Sequence, residues 1–574
     1  MENYYDKVKG KEDELSALYS RMKTDYGLLN LQKYVLADKN EKAIPDIINV
    51  TLNKPAIFAA NVISSLGSTS QQTVVESTKG SVDTHYIEEF QDAAFNAANL
   101  RLQKRGQASL NSFADIQLCI RGRAARRVLF RLATPEDVAD GLAKEVGELI
   151  PDITSWDTRF VTYERGINGL KWGAYHIDRN WNATEEQYGE LMQKYGVYKE
   201  GSTPEKANIA DIWTEDHNEI WIEGKQVLEQ GHDYGFCPVV LEVVPLGYGN
   251  ILMEEDRLQH EGESIFFMIR DVIPELNRLV SLLQTLNQRQ LLGSMKYPTG
   301  DITQEPPDFP KSMEVVNVEK DILPIDYGDA RRSAEMVYSI LERSLQQGSI
   351  NDIDLGNLQF PLSAVALVTV GENRDKVYLP RLDTKAYLNQ RTAEMFTKQI
   401  LQFGGASVEL GTPGHTRNFN LSKVEGEYET SYKYFVKSPQ LDVAKITMGD
   451  AALNMGVDRE TVYTDIMQYE DPKGMIQKYY YDLAEKLSPN VLRNRVIMKL
   501  LEMAEDDKNV DAARDAQIMA AEIGASLDQI KQGAEVAPPE PQPSGEPIIP
   551  LLGQGGAIGG TKPKVASVTT PQGV

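Results

Sequence analysis

Histidine side chains meet carboxylates closely at two places in the chain. These are the strings EDHNE at 215–219 and GHDYG at 231–235. The four candidate ligands that they contain are Asp216, His217, His232 and Asp233. If the strings lie on neighbouring strands, these residues could hold a metal and form a metal-dependent phosphoesterase or nuclease. We favour the alternative that they are solvated turn residues beside a hairpin, because Asp, Asn and Gly are the residues that turns require.

Other catalytic signatures are missing from the sequence. No P-loop, HExxH, GxSxG or CxxC string occurs. Counted from Asp352, the loop NDIDLGN at 351–357 has Gly356 and Asn357 at the fifth and sixth positions, which departs from the calcium-loop pattern, and the closing Glu is missing. The only two cysteines, Cys119 and Cys237, lie in apolar, strand-like runs, so we expect two buried thiols. We therefore expect no enzyme, no cofactor and no metal.

One basic cluster is prominent in an otherwise acidic chain. Five arginines fall within eleven residues: Arg121, Arg123, Arg126, Arg127 and Arg131. They could contact phosphate or an acidic partner subunit. They could equally form a solvated face or pair with nearby Asp and Glu within the chain. The sequence leaves both interpretations open.

The charge balance excludes tight wrapping of nucleic acid by the whole surface. Lys and Arg number 60 against 84 for Asp and Glu, a formal net charge of −24, whereas such wrapping neutralises phosphates with Lys and Arg. The hydrophobic content of 41% is typical of a globular protein with a large core. No run of 18 apolar residues and no signal-peptide core occurs, so we expect no membrane contact and assembly in a cytoplasm.

The elements change in type along the first half of the chain. Residues 1–120 are predicted to be mostly helical, with a shift toward strand between 116 and 132. All five tryptophans lie between 150 and 245, in short alternating runs separated by Gly, Asn and Asp. That pattern predicts antiparallel strands and hairpins, interrupted by one helix around 184–195.

Residues 257–292 carry the most regular apolar pattern, which we call the seam. Its members are spaced 4, 3, 4, 3, 4 and 3 residues apart and are Ile265, Ile269, Val272, Leu276, Leu279, Leu283 and Leu286. This spacing predicts one long helix with a narrow stripe suited to a helix–helix contact. Pro274 is expected to kink or interrupt it.

The second half of the chain alternates helices with polar loops. A proline-rich excursion at 298–310 and a strand at 314–319 precede a returning helix at 328–347. The Gly-, Asn- and Asp-rich residues 348–360 then predict a loop. The remaining elements are two helices at 363–378 and 382–403 separated by Pro380, a strand at 428–437, helices over 441–531 and a disordered Pro/Gly-rich tail from 533.

Four stretches taken together resemble the portal, or head-to-tail connector, proteins of tailed bacteriophages. They are LIPDITSWDTRFVTYERGINGLKW at 149–172, HDYGFCPVVLEVVP at 232–245, the helix–excursion–helix order of 257–347, and GDAALNMGVDRETVYTDIMQYEDPKGMIQKYYYDLAEKLSP at 449–489. The resemblance covers residues 10–530. It includes no invariant motif, and its specificity comes from the order and combination of these four stretches.

The resemblance implies an α+β fold of the portal type, with an α/β wing, a long helical stem, a small β-containing clip and a helical crown. The implied segments are a wing at 1–256 and 363–440, stem helices at 257–292 and 328–347, a clip at 293–327, a channel loop at 348–362, a crown at 441–532 and a tail at 533–574. The seam would then join the stems of adjacent subunits. The implied channel-loop residues are Asn351, Asp352, Asp354, Asn357 and Gln359. They include no Lys or Arg, which favours steric sealing over a phosphate grip.

The function that the resemblance implies is a conduit at one capsid vertex of a virion. A homo-oligomeric ring, in this family about twelve subunits (a dodecamer), closes by head-to-tail contacts. Double-stranded DNA passes through the ring during packaging and ejection. The implied partners are the packaging terminase, the major capsid and scaffolding proteins, and head–tail adaptor or tail proteins. The alternatives are the metal-dependent phosphoesterase and another virion protein such as an internal scaffold, which would be elongated and mostly helical.

Overall fold

The computed structural model describes most of the chain and divides it into two compact units. The described residues are 3–77, 79, 82–167, 169–197, 205–247, 252, 257–291, 295–296, 323–324, 330–348, 364–403, 405–412, 415–435, 439–467, 472–506, 510–524 and 527. The first unit comprises residues 1–480 and the second residues 481–574. The mixture of helix and sheet confirms the α+β class.

Helices form the larger share of the described chain. In chain order they are α1 (Tyr4–Glu14), α2 (Ser16–Leu29), α3 (Lys54–Gly67), α4 (Thr84–Lys104), α5 (Leu110–Ile120), α6 (Pro135–Ala139), α7 (Trp181–Lys194), α8 (Val272–Leu291), α9 (Ala330–Gly348), α10 (Ala364–Phe403), α11 (Leu421–Val424), α12 (Pro439–Asn454), α13 (Arg459–Thr461), α14 (Pro472–Leu487), α15 (Pro489–Asp506) and α16 (Val510–Ile523). Several begin where a polar side chain accepts a hydrogen bond from a free backbone N–H group. Asn3 does this for α1, Asp83 for α4 and Ser109 for α5.

The described strands form antiparallel sheets. In chain order they are β1 (Ser70–Glu76), β2 (Arg123–Leu132), β3 (Leu149–Trp156), β4 (Val161–Gly166), β5 (Gly169–Asn180), β6 (Lys206–Thr214), β7 (His217–Ile222), β8 (Lys225–Gly231), β9 (Val239–Val243), β10 (Met295–Lys296), β11 (Leu323–Pro324), β12 (Ser407–Thr412), β13 (His415–Asn420) and β14 (Glu429–Phe435). The meander β4-β5-β6-β7-β8 is the largest sheet, and β3-β2-β9 is the next. Pairs β1–β14, β12–β13 and β10–β11 complete the set. The predicted antiparallel unit with one internal helix, α7, is confirmed.

Two faces of the meander are covered by different helices. Alternation along β6 sends Ile209 toward α7, where it packs with Trp181, and sends Ile212 toward α1, where it packs with Val8. Each of these four side chains is buried. The N-terminal helix is therefore part of the core of this sheet.

Two larger cores hold the rest of the first unit together. One joins α4, α5 and α10 to the sheets and contains the edge-to-face rings of Phe90, Phe396 and Phe419. The other joins α3, α8, α9 and α10, with Leu276 and Tyr378 fully or almost fully buried. The helix α10 contributes to both cores.

The predicted helix at 257–292 is shorter than expected. Residues 257–260 form one 3-10 turn, 261–271 are irregular, and α8 begins only at Val272. Pro274 is consequently the third residue of α8, where the backbone N–H has no partner to lose. The expectation that Pro274 kinks a helix already under way is wrong for this reason.

The predicted break at Pro380 is also wrong, because α10 continues through it. Side chains on the following turn occupy the carbonyls near the proline. The Arg381 guanidinium donates to the Val377 carbonyl at 2.7 Å, and the Thr384 hydroxyl donates to the Pro380 carbonyl at 2.6 Å. Neither carbonyl is the one that Pro380 leaves without a donor, which belongs to residue 376, so the helix continues although that one backbone hydrogen bond is missing.

The strand predicted from residue 116 begins later than expected. Residues 116–120 belong to α5, and β2 begins at Arg123. Cys119 therefore lies on a helix and Cys237 in the loop before β9, although both are buried as predicted. Burial raises the pKa of each thiol to about 12. In the mostly helical N-terminal region, β1 pairs with β14.

The second unit contains a helical hairpin. Helices α15 and α16 pack through Ile497, Leu501, Ala516 and Ala520. Small alanines on α16 allow the two helices to approach closely. The helical prediction for the described part of 441–531 is confirmed.

Several predictions fall largely outside the described residues. These are the clip apart from β10 and β11, the channel loop apart from Gly348, and the tail. All five channel-loop candidates, Asn351, Asp352, Asp354, Asn357 and Gln359, are among them. Within the described residues, no helix has both the length and the apolar character to cross a membrane.

Candidate functional site

Helices α8 and α9, which we call the helix pair, pack against each other. Shortly after α8 and shortly before α9, the two-residue strands β10 and β11 pair antiparallel, with Met295 opposite Pro324. The chain thus leaves along one helix, forms a β contact and returns along another. This order agrees with the helix–excursion–helix pattern read from the sequence.

The seam is divided between the interior and a partly open surface. Ile265, Ile269 and Leu276 are at most 5% exposed and pack in the core with Phe58 and Tyr378. Ile265 and Ile269 precede α8, so the prediction that all seven members line one helix is wrong. The remaining members are only partly buried: Val272, Leu279, Leu283 and Leu286.

Helix α9 presents apolar side chains in two directions. Tyr338, Leu341 and Leu345 pack against the core that contains Leu276. Met336 and Ile340 are 67% and 54% exposed, and Val337 beside them is also exposed. We call Met336, Val337 and Ile340 the outer face of α9. Three exposed apolar side chains within five residues form a patch suited to a protein contact.

A polar ladder fixes an extended segment along α8. Asn277, Ser281 and Thr285 are buried and recur every four residues, so they lie on one face of the helix. Their side-chain oxygens accept the backbone N–H groups of Leu52, Val50 and Ile48 at 2.9, 2.9 and 3.0 Å, respectively. We call residues 48–52 the strap. Each bond supplies an acceptor to a backbone donor that is not part of any sheet.

The segment that leads into α8 is anchored by buried charges. Arg270 donates to Asp25 at 2.7 and 3.0 Å and to Glu263 at 2.7 Å. Arg21, 4% exposed, donates to the carbonyls of Gln259 and Gly262 at 2.7 Å each. We call this cluster the junction. It ties helix α2 to the start of the helix pair.

The ionisation of Glu263 depends on these arginines. Burial alone would raise the pKa of this carboxyl, whose side chain is 0% exposed. The charges of Arg21 and Arg270, with the hydrogen bond from Arg270, outweigh burial, so its pKa lies below the ordinary value. Glu263 is therefore a carboxylate at neutral pH and holds both cations in place.

Two glycines allow the backbone to approach itself at the junction. Gly122 and Gly262 have φ of +71° and +70°. A Cβ at Gly262 would lie 2.5 Å from the Gly122 carbonyl oxygen, and a Cβ at Gly122 would overlap the Gly262 carbonyl. Only glycine fits both the left-handed conformation and the space.

The arginine cluster is paired within the chain. Arg127 and Arg131 lie beside Asp152, with Arg127 3.0 Å from Asp211 and Arg131 2.6 Å from Asp137. Arg121 lies 3.4 Å from Asp157 and Arg123 3.4 Å from Glu261. Arg126, which is 1% exposed, donates to the Asn389 side chain and the Leu110 carbonyl. Of the two open interpretations, the structure supports intrachain pairing, because phosphate contacts require accessible guanidinium groups.

The candidate metal ligands lie in different surroundings from one another. His217 contacts Asp216 at 2.7 Å and Glu219 at 3.1 Å, at the turn between β6 and β7. His232 stacks on the Trp213 ring with both ring nitrogens buried, and burial lowers its pKa. Asp233 is exposed. Within the described part of the chain, no three His, Cys, Asp or Glu side chains form a group able to hold a metal.

Sequence reasoning missed the polar ladder and the junction. The ladder could have been predicted from residue spacing, since Asn277, Ser281 and Thr285 repeat at intervals of four beside the seam. The junction has none, because it joins residues more than 200 positions apart, such as Asp25 and Arg270.

Comparison with models of protein families and with curated proteins found no match to this chain.

Proposed function

We propose that the protein is a portal: a subunit of a closed ring that conducts double-stranded DNA into and out of a viral capsid. The ring performs no chemistry of its own. It serves as a docking platform for the packaging motor and the tail. The portal fold, the ring and the virion location are parts of the same proposal.

The observation that carries this proposal is the helix pair with the short β10–β11 contact between its members. A ring can close around a channel when each subunit places a rod-like element beside its neighbour's. The helix pair supplies such an element, and its outer apolar side chains have no covering partner among the described residues of a single chain. Burial of one such side chain by a neighbour is worth about 1.5–3 kcal/mol.

The anchoring of the helix pair supports the same role. The junction fixes its base to α2 through charged hydrogen bonds, and the strap fixes α8 along its length. Charge-assisted hydrogen bonds are about twice as strong as neutral ones. An element that must withstand the passage of DNA benefits from attachment at several points.

The overall charge supports transport rather than tight binding of DNA. Each chain carries a formal charge of −24, so a ring of several copies is strongly acidic. Four arginines of the cluster, which could have offset this, are paired with the chain's own carboxylates, and the fifth, Arg126, is buried against neutral acceptors. A polyanion near such a surface is repelled and forms few long-lived contacts.

The proposal is tested by measuring assembly of variants of the outer face of α9. We expect the double substitution Met336→Asp and Ile340→Asp to weaken ring formation, measured by native mass spectrometry across protein concentrations. The matched control is Ile167→Asp, because Ile167 is fully exposed in the β4–β5 turn. Far-UV circular dichroism checks that all variants fold.

Two results would count against the proposal. If the wild-type chain stays monomeric at all concentrations and salt conditions, there is no ring. If the wild type forms rings and the double variant assembles as well as the Ile167→Asp control, the outer face of α9 does not contribute to the subunit contact.

A further inference from the structure

Helix α1 lies on one face of the meander through its aromatic side chains. The Tyr5 ring stacks on Trp221 with centroids 5.1 Å apart and planes 9° from parallel. Tyr4 meets the His217 ring edge-on at 5.4 Å. Val8 is fully buried among residues of β5 and β6. The helix is short, so these few contacts and its polar bonds decide whether it stays on the sheet.

Both ring nitrogens of His176 face hydrogen-bond acceptors. Nδ1 lies 2.6 Å from Glu12 Oε1 on α1, and Nε2 lies 2.6 Å from Asn208 Oδ1 on β6. The amide of Asn208 is oriented by Asp178, which accepts its NH2 group at 3.1 Å. Since a carboxylate and an amide oxygen only accept, both nitrogens must donate, and His176 is an imidazolium.

His217 repeats the arrangement beneath Tyr4. Its Nδ1 lies 2.7 Å from Asp216 Oδ1, and its Nε2 lies 3.1 Å from Glu219 Oε1. The other oxygen of Glu219 accepts the Trp221 indole N–H at 2.7 Å. The histidine under Tyr4 and the indole under Tyr5 are thus joined through one carboxylate.

We infer that α1 is a proton-dependent latch, held on the meander by the hydrogen bond from the His176 imidazolium to Glu12 and by the edge contact of Tyr4 with the His217 imidazolium, and released when these histidines lose their protons. Loss of the His176 proton leaves two acceptors facing one donor, so the bond to Glu12 or to Asn208 is lost. Release of α1 uncovers an apolar surface of the sheet that includes Trp172, Ala174 and Ala210. This inference does not depend on the proposed function.

The groups around the two histidines favour their charged forms. The hydrogen bond to Glu12 is the main cause of the raised pKa of His176, and it outweighs burial; Asn208 and Asp178 add to it. Burial lowers the pKa of His217, but Asp216 and Glu219 outweigh it, and the pKa is raised. The cations of α1 nearby, Lys7 and Lys9, lie over the rings of Tyr4 and Tyr5. Burial lowers the pKa of the neighbouring His232, so that histidine loses its proton at lower pH than the other two.

The sign of the pH dependence follows from the raised pKa values. The stabilisation is fully present below the ordinary histidine pKa of 6.5 and is lost as pH rises through the higher values of the closed state. If the pKa of a histidine differs by one between the closed and the open state, the loss of its proton changes the opening equilibrium by about tenfold. The latch therefore opens as pH rises above the ordinary histidine pKa.

The test is hydrogen exchange of the full-length protein, followed by mass spectrometry between about pH 6 and about pH 9. After correction for intrinsic exchange, we expect protection of residues 4–14 to fall with rising pH relative to residues 86–98 of α4. His176→Gln and Glu12→Gln should each lower protection at the acidic end and flatten the profile. His415→Gln is the control, because the His415 side chain is exposed at the start of β13 and belongs neither to α1 nor to the reference helix α4.

The outcomes separate the latch from a merely structural contact. Constant protection of residues 4–14 relative to α4 in the wild type would overturn the inference, as would a His176→Gln protein that keeps the full wild-type dependence. A profile that is flattened in part by either His176→Gln or His217→Gln and abolished by both together would support it. If a variant fails to fold, the wild-type titration alone decides.

Discussion

Replacing Gly122 by alanine should destabilise the junction by forcing apart the two backbone segments that meet there. The substitution has two separate costs. The left-handed φ of +71° costs an L-residue about 1–2 kcal/mol wherever it occurs. The added methyl group also overlaps the carbonyl of Gly262, so the two backbones must move apart.

The second cost follows from the bonds that depend on this approach. The Gly122 carbonyl accepts the Val244 N–H at 2.9 Å, and the Gly262 carbonyl accepts the buried Arg21 guanidinium at 2.7 Å. A neutral bond contributes about 0.5–1.5 kcal/mol and one to a charged group about 1.5–3 kcal/mol. Separation of the backbones should therefore add about 2–4 kcal/mol to the conformational cost.

Gly106→Ala isolates the steric part. Gly106 has a nearly identical φ of +69°, but a Cβ there would meet nothing within 4 Å. The assay is the free energy of opening of residues 102–132, which include both glycines, from native-state hydrogen exchange, so that unfolding of other regions does not enter. We expect Gly122→Ala to lower this free energy by about 2–4 kcal/mol more than Gly106→Ala does. Equal effects of the two substitutions would refute the reasoning, since the close approach would then have no energetic consequence.

Three further predictions concern the strap, the junction and the channel loop. Ser281→Ala should cost about 1–3 kcal/mol in urea unfolding, because it leaves a partly buried backbone donor of the strap without its acceptor. Gln284→Ala on the exposed side of α8 should stay within about 0.5 kcal/mol. Glu263, with a pKa below 4.5, adds stability at neutral pH that is lost as pH falls through its lowered value, so Glu263→Gln should reduce the loss of stability on acidification measured by thermal unfolding. Replacement of Asp352 and Asp354 by Lys should slow DNA packaging or ejection at low salt, with partial recovery at higher salt; unchanged rates would remove the channel assignment.

The local features of the fold were accessible from the sequence. Alternation and turn residues identify the meander, and the position of α7 follows from a polar run between strands. The start of α8 was not accessible, because a buried charge cluster holds residues 261–271 in turns although their apolar spacing suits a helix. Helix α10 runs through Pro380 for a similar reason: long-range packing of Tyr378 and Leu382 in one core outweighs the local cost.

The same difference between local patterns and long-range contacts applies to the candidate site residues. The spacing of the seam identified Leu276 as an apolar contact residue, but spacing carries no information on which side of a helix the chain itself will cover. The role of the arginine cluster could not be decided from sequence, since its partners, such as Asp211 for Arg127, lie far along the chain. His176 lies outside the two histidine strings, and its partner Glu12 comes from an element 164 positions away, so their contact could not be read from local sequence.

The central claim is that copies of this chain close into a ring around a channel. Negative-stain electron microscopy of the purified full-length protein tests it most directly, with the Met336→Asp and Ile340→Asp double variant imaged beside it. We expect end-on views of closed rings with one central channel in the wild type, and fewer or broken rings in the variant. Uniform single particles of monomer size in the wild type, across protein concentrations and salt conditions, would contradict the account.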